Sequence, residues 1–174
     1  MFKEINTLKP FLEEPNKEFN VRELARLLNI APATASKKLK YFTKNKILKQ
    51  REERMLLLYK ADLDSEFYKD LKIYYNIRKI KKSGLIEILN KFYLKPSITL
   101  FGSTATGLDT KTSDIDLFVE TEQKSQIKEL KTFEKKINRT LQILTASDIK
   151  KLKNPHLINN ILNGITIQGT LKWI

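Results

Sequence analysis

The stretch FGSTATGLDTKTSDIDLFV, residues 101–119, decides how the second half of the chain is interpreted. It begins at the end of an apolar run and continues with Gly102 and Ser103. Ten residues later it reaches Asp114-Ile115-Asp116, which is followed by another apolar run. Because side chains two positions apart on a strand share a face, Asp114 and Asp116 are predicted to point the same way.

Two carboxylates side by side repel each other and favour a divalent cation, and Mg²⁺ prefers carboxylate oxygens together with nucleotide phosphates. Gly102 lets the backbone approach a phosphate, and Ser103 offers a hydroxyl and an amide at the start of a helix. We therefore predict nucleotide binding by Gly102 and Ser103, and metal binding and catalysis by Asp114 and Asp116. A simple glycine-serine turn before an acidic strand edge remains the alternative.

The form G-S-x10-D-x-D resembles the active-site signature of the minimal nucleotidyltransferases, which belong to the DNA polymerase beta superfamily. The resemblance extends over 96–174, because NGITIQG at 163–169 is similar to the closing strand of that family. It implies a mixed sheet with flanking helices, and Mg-dependent transfer of a nucleoside monophosphate from an NTP to an unknown acceptor. Many members carry arginine in the loop after Gly-Ser, where this chain has Thr104 and Thr106.

The family usually carries a third acid on a strand opposite the D-x-D, within an apolar-acid-apolar pattern. The matching run here is Leu141-Gln142-Ile143, so Gln142 takes the place of that acid. Glutamine is neither a carboxylate base nor a counter-charge for a second ion, so one Mg²⁺ is expected more readily than two. An acid elsewhere in space, such as Asp148 or Glu120, would restore full catalysis.

The first third of the chain has a different organisation. One helix is predicted over 3–13, a second follows the N-cap Asn20, and a third begins at Pro32. Two strand-like runs, 47–51 and 55–61, come next, joined by a charged turn at residues 52–54. The predicted buried residues are Val21, Leu24, Leu27 and Leu28 of the second helix, with Ala35, Leu39 and Phe42 of the third.

Helix, tight turn, helix and two-stranded ribbon is the order of a winged helix-turn-helix. The residues VRELARLLNIAPATASKKLKYFTKNKIL, 21–48, resemble the corresponding part of bacterial and archaeal winged-helix repressors. We therefore predict an α+β protein of two domains, a winged helix-turn-helix at 1–61 and a nucleotidyltransferase-type domain at 96–174. Residues 62–95, broken at Ser83–Gly84, are predicted to be a helical linker or dimerisation segment.

Charge favours a polyanionic partner for the first domain. The net charge of the chain is +13. Residues 1–61 hold 14 Lys and Arg against 7 Asp and Glu, which is the largest excess of positive charge in any part of the chain. Double-stranded DNA is therefore the predicted partner, with a protein-interaction role as the alternative. The predicted DNA contacts lie on the outer face of the third helix and at the wing tip: Ala33, Thr34, Ser36, Lys37, Lys38, Lys40, Arg51 and Arg54.

Several functional classes are excluded. The chain has no cysteine and one histidine, His156, so disulfides, thiolate metal sites and multi-histidine sites cannot form. No apolar run reaches the roughly 20 residues of a membrane span, so we expect a cytoplasmic protein without a membrane partner.

Besides the enzyme, two functions stay open: a transcriptional regulator with a nucleotide-sensing domain, and an antitoxin-like repressor. Either would suit a homodimer or a protein partner.

Overall fold

The computed structural model describes residues 2–123, 125, 127 and 129–172, with side chains from residue 5 onward. It confirms that the chain combines helices with sheets in an α+β fold. Two compact units make up the chain, Met1–Lys72 and Ile73–Ile174. Among the described residues, no helix combines the length and the apolar character needed to cross a membrane.

The first unit contains three helices followed by a hairpin, in the predicted order. Its elements are α1 (Phe2–Glu13), α2 (Val21–Leu28), α3 (Pro32–Lys44), β1 (Leu48–Glu53), β2 (Leu56–Ala61) and the start of α4 (Glu66–Lys82). Pro10 lies inside α1 and does not end it. The core of this unit includes Leu8, Phe11, Leu12, Leu24, Leu39 and Phe42.

Local chemistry fixes the ends of α2 and α3. The Asn20 side chain accepts a hydrogen bond from the Glu23 amide at 3.0 Å, and the Glu23 carboxylate accepts one from the Asn20 amide at 2.9 Å. This capping box was predicted. Asn29 ends α2 in the left-handed conformation, with φ of 51°. Pro32, whose fixed φ suits a first helical residue, starts α3.

The predicted core of α3 is confirmed, whereas that of α2 needs a correction. Ala35, Leu39 and Phe42 of α3 are buried. In α2, Leu24 and Ala25 are buried but Leu27 is 60% exposed. A helix turns about 100° per residue, so Leu27 lies well away from the face that those two residues share.

The hairpin is tighter than predicted. Glu53 pairs with Leu56, so the turn consists of Arg54 and Met55 alone, with φ of 47° and 65°. Positive φ at both central residues is the type I′ geometry that matches the twist of a hairpin. Arg51 was predicted at the wing tip, but it lies within β1, opposite Leu58.

α4 buries a different face from the one predicted. The spacing of the apolar residues Leu71, Tyr74, Tyr75 and Ile77 predicts one buried stripe, whereas the buried residues are Tyr68, Lys72, Asn76 and Ile80. Two of these four are polar, so hydrophobic periodicity selects the wrong face. In the first unit, the Tyr68 hydroxyl donates to the Phe11 carbonyl at 2.9 Å and the Lys72 ammonium donates to the Leu12 carbonyl.

Residues 62–95 therefore supply buried side chains to both units. Tyr68 and Lys72 are buried in the first unit, while Ile80, Leu85 and Leu89 join the core of the second. The predicted break is present, because α4 ends at Lys82 and α5 begins at Leu85.

The second unit is built on a four-stranded mixed sheet. Its elements after α4 are α5 (Leu85–Tyr93), β3 (Ser97–Phe101), α6 (Ser103–Thr106), β4 (Ile115–Glu120), α7 (Leu130–Ile137), β5 (Leu141–Ala146), a 3₁₀ helix (Ile149–Lys151), α8 (Pro155–Leu162) and β6 (Ile165–Gln168). The strand order is β5-β4-β3-β6. β4 and β5 are parallel, while β3 pairs antiparallel with β4 and with β6.

Alternate residues of β4 face two separate cores. Ile115, Leu117 and Val119 pack in the core that contains α5, and Phe118 packs on the opposite face with Ile149 and Ile161. The α/β pattern that follows Pro96 in the sequence predicts helices over 122–138 and 147–163, and both are shorter in the structure. The helix expected over 122–138 begins at Leu130 as α7, and residues 124, 126 and 128 lie outside the described part. The helix expected over 147–163 is divided into the 3₁₀ helix and α8.

Candidate functional site

The Gly102–Ser103 turn lies directly against one carboxylate of the D-x-D motif. β3 ends at Phe101, Gly102 has φ of 69°, and α6 begins at Ser103. A Cβ atom on Gly102 would lie 2.5 Å from Oδ2 of Asp116, which is closer than real Cβ contacts allow. Only glycine therefore fits between the two halves of the motif, for its φ and for its size.

The two aspartates lie at the start of β4. Asp116 is opposite Phe101 of β3 on one side and Gln142 of β5 on the other. Burial raises the pKa of Asp116, and the negative charge of Asp114 raises it further, while the positive charge of Arg139 lowers it. A carboxylate whose pKa is raised by burial and by a neighbouring negative charge lies at a place that favours a cation.

Gln142 faces the aspartate pair, as the alternation along β5 predicted. Its side-chain amide Nε2 donates a hydrogen bond to Oδ2 of Asp114 at 2.5 Å. Its neighbour Leu141 is buried, and Ile143 packs partly buried against the core. The third position of the motif therefore holds a neutral donor, which places the positive end of an amide dipole on Asp114.

Glu120 and Asp148 do not substitute for the missing acid. Glu120 is four residues beyond Asp116 on β4, roughly 13 Å along an extended strand. Burial raises the pKa of Glu120, and so does the charge of Asp148, so these two acids are neighbours of each other. In the part of the chain that the structure describes, no group of three or more histidine, aspartate or glutamate side chains is arranged to hold a metal ion.

Sequence reasoning missed a buried polar network behind the motif. Arg139 follows α7, and its Nη1 lies 2.6 Å from Oδ2 of Asp109, with the two side chains 7% and 0% exposed. Thr104, which was singled out only as a departure from the family pattern, is buried and donates its hydroxyl to the Asp114 carbonyl at 3.0 Å. Asn76 of α4 donates to Asp109 at 2.7 Å.

One signal in the sequence could have revealed Arg139. It is the only arginine after Arg78, in a part of the chain that otherwise uses lysine. Arginine offers five N–H donors in a rigid plane, which suits a buried site with several acceptors better than lysine does. Among the described residues, no buried side-chain nitrogen or oxygen lacks a hydrogen-bond partner.

The predicted DNA contacts fall into two groups. On α3, Ala33, Thr34, Lys37 and Lys40 are exposed, while Ser36 and Lys38 are half-buried. On the hairpin, Arg54 is exposed in the turn, but Arg51 makes two hydrogen bonds to Glu18, at 2.7 and 2.6 Å, and an ion pair with Glu53 at 2.6 Å. These two carboxylates raise the pKa of Arg51 and occupy its guanidinium.

Comparison with known proteins agrees with the site in the second unit. Residues 82–167 match the family model of the nucleotidyltransferase domain. The matched range begins at the end of α4 and ends within β6, so it includes the Gly102–Ser103 turn, the aspartate pair, Gln142 and Arg139, but not Asn76. No curated protein matches the chain. The family match thus supports a nucleotidyltransferase domain in the second unit.

We expect Asp116→Asn to increase the free energy of unfolding in the absence of divalent cations. Because the pKa of Asp116 is raised from 3.8, the stability that this carboxyl contributes is present below 3.8 and is lost as pH rises through the raised value. Asparagine carries no charge and avoids that loss. Urea unfolding in EDTA should show a gain at about pH 7 that shrinks towards about pH 4.

Glu122→Gln is the matched control, because Glu122 is exposed and lies outside the site. It should leave the free energy of unfolding unchanged at both pH values. A loss of stability in Asp116→Asn at neutral pH would show that the carboxylate is held by favourable interactions.

Proposed function

We propose that this protein binds an Mg-NTP through Gly102, Ser103, Asp114 and Asp116, and transfers the nucleoside monophosphate to an acceptor that remains to be identified. The observation that carries the proposal is the contact between the Gly102 backbone and the Asp116 carboxylate. It places the turn at the start of α6 beside a pair of acids. The nucleotidyltransferase family match over the same residues supports this reading.

The donor set fits one Mg²⁺ carried in by a triphosphate. Asp114 and Asp116 would supply carboxylate oxygens, which Mg²⁺ prefers together with nucleotide phosphates. Burial and the charge of Asp114 raise the pKa of Asp116, so a bound cation would stabilise the carboxylate form. When bound, Mg²⁺ supplies positive charge that neutralises the triphosphate during in-line displacement.

The residues of the chain then have distinct tasks. The Ser103 amide and hydroxyl, at the first position of α6, bind the terminal phosphates. Gly102 keeps the backbone close enough for that contact. Asp114 and Asp116 would hold the ion beside the triphosphate. As the acceptor oxygen bonds to the α-phosphorus, the bond to pyrophosphate breaks and pyrophosphate leaves, while the proton of the acceptor hydroxyl passes to water.

A second function is favoured by Gln142. Its amide already occupies one oxygen of Asp114, at 2.5 Å, where a further carboxylate would have helped to bind a second ion. Such a site retains nucleotide binding while turnover is slow. The protein would then be a transcriptional regulator, or an antitoxin-like repressor, in which the second unit senses a nucleotide.

The first unit is proposed to bind double-stranded DNA through α3. Within the described residues, Lys37 and Lys40 are exposed and form no ion pair with an acid, so their charges are available to phosphates. The exposed small residues Ala33 and Thr34 let the start of α3 approach base edges closely. Arg51, held by Glu18 and Glu53, is a weaker candidate than the sequence suggested.

We predict Mg-dependent nucleotide binding that requires both aspartates. Calorimetry with ATP and the other three NTPs should show binding to the full chain in Mg²⁺, and none to the Asp114→Asn, Asp116→Asn double variant. The matched control is the Glu120→Gln, Asp148→Asn double variant, which neutralises the acid pair at the other end of β4 and should bind normally. Equal affinity with and without Mg²⁺, or in the aspartate double variant, would refute the metal site.

We predict that Gln142→Asp increases nucleotidyl transfer. A carboxylate at this position can accept a proton or help to hold a second ion, and such assistance is worth about 10²- to 10⁴-fold. Pyrophosphate release should be measured with one set of acceptors for both proteins. Gln142→Asn, which has the length of aspartate but no charge, should give no increase. Robust turnover by the wild type, unchanged or reduced by Gln142→Asp, would mean that the third ligand lies elsewhere.

We predict that Lys37→Ala with Lys40→Ala weakens binding to duplex DNA of any sequence. Each lost phosphate contact should also lower the slope of log affinity against log salt by about 1. Gel shifts at several salt concentrations measure both effects. Arg51→Ala is the control and should change neither, because Glu18 and Glu53 already engage that side chain. Absence of DNA binding by the wild type at low salt would favour a protein-interaction role.

A further inference from the structure

We propose that Arg139 is a positioning residue that joins the two halves of the site, the Gly102–Ser103 turn and the aspartate pair. The inference rests on the proposed nucleotide-binding function, because it assigns a role within that site. Arg139 lies behind the motif, bound to the backbone that carries the functional side chains.

The first half of the case is the backbone next to Asp114. The Nε atom of Arg139 donates to the Ser113 carbonyl at 2.6 Å, and Nη2 donates to the Asp114 carbonyl at 2.8 Å. These two carbonyls are consecutive, so one guanidinium fixes the peptide planes on both sides of the Asp114 Cα. The direction of the Asp114 side chain follows from those planes.

The second half of the case is Thr104, the residue that follows Ser103. The Nη2 atom of Arg139 also donates to Oγ1 of Thr104 at 3.2 Å, and that hydroxyl in turn donates to the Asp114 carbonyl. Asn76 donates to the Thr104 carbonyl at 3.2 Å. Thr104 is thus held by its side chain and by its backbone, and the first turn of α6 is held with it.

Asp109 explains how the guanidinium stays in place. It is the acid that neutralises Arg139, at 2.6 Å, and its other oxygen accepts from Asn76 at 2.7 Å. Of the four hydrogen bonds that Arg139 makes, three go to residues 104, 113 and 114 and one goes to Asp109. A pair that served stability alone would not need donors aimed at both halves of the motif.

The decisive comparison is Arg139→Lys against Arg78→Lys in the full chain, with Mg-ATP as the probe. Lysine at position 139 keeps the charge opposite Asp109, but one nitrogen cannot reach all these acceptors, so we expect Mg-ATP affinity to fall by about tenfold or more. Arg78 is exposed and lies outside the network, so Arg78→Lys should keep the affinity of the wild type. Normal affinity in Arg139→Lys, or an equal loss of affinity in both variants, would overturn the proposal.

Hydrogen exchange without nucleotide separates this proposal from the proposed function. In Arg139→Lys the amides of 103–106 and 113–116 should exchange faster while those of β3 stay protected. If the wild type binds no nucleotide but this local change occurs, the proposed function fails and the positioning role stands. If exchange in these segments is unchanged, the positioning role fails whatever the nucleotide does.

Thr104→Val provides a second variant in case Arg139→Lys does not fold. It preserves the shape of the side chain and removes the hydroxyl that ties Thr104 to Arg139 and to the Asp114 carbonyl. We expect a loss of Mg-ATP affinity and faster exchange at 103–106, the half of the site that this hydroxyl holds. Thr104→Ser keeps the hydroxyl and should behave like the wild type; equal behaviour of the two variants would contradict the inference.

Discussion

The buried ion pair between Arg139 and Asp109 is the interaction on which the site in the second unit depends. Both side chains are almost completely removed from solvent. Removing one partner of such a pair leaves an uncompensated charge and costs about 3–5 kcal/mol. Arg139 avoids that cost only because Asp109 and the acceptors of residues 104, 113 and 114 satisfy its donors together. The stability of the unit and the geometry of the acids therefore depend on the same guanidinium.

Features that depend on local sequence were predictable. Pro32 marks the start of α3, and the spacing of Ala35, Leu39 and Phe42 identifies its buried face, because a helix brings such positions onto one side. Alternation in β4 likewise separates the acids from the apolar core. For the site, the spacing of Asp114 and Asp116 and the alternation that aims Gln142 at them needed no tertiary information. The nucleotidyltransferase family match covers these residues.

Features that depend on distant contacts were not predictable. The hydrogen bonds of Arg139 join residues 25 to 35 positions apart in the sequence. The local sequence around each partner is polar and therefore predicts an exposed surface. α4 was misread for the same reason, since Lys72 and Asn76 are buried by contacts that other elements provide. Arg51 was predicted to contact DNA, but its guanidinium is bound by Glu18, which lies 33 residues away in the sequence. A buried polar residue can be recognised only when its hydrogen-bond partners are known, and the periodicity of a single sequence does not reveal those partners.

These sequence separations also determine the order in which the second unit can assemble. Contacts between residues so far apart close long loops, and the entropy cost of closure precedes any favourable contact. The parallel pairing of β4 with β5 adds to this delay, because it requires the intervening chain to cross over. The acids consequently reach their final arrangement only after these distant segments have come together. A nucleotide bound there as proposed would stabilise the folded unit and shift the folding equilibrium towards it.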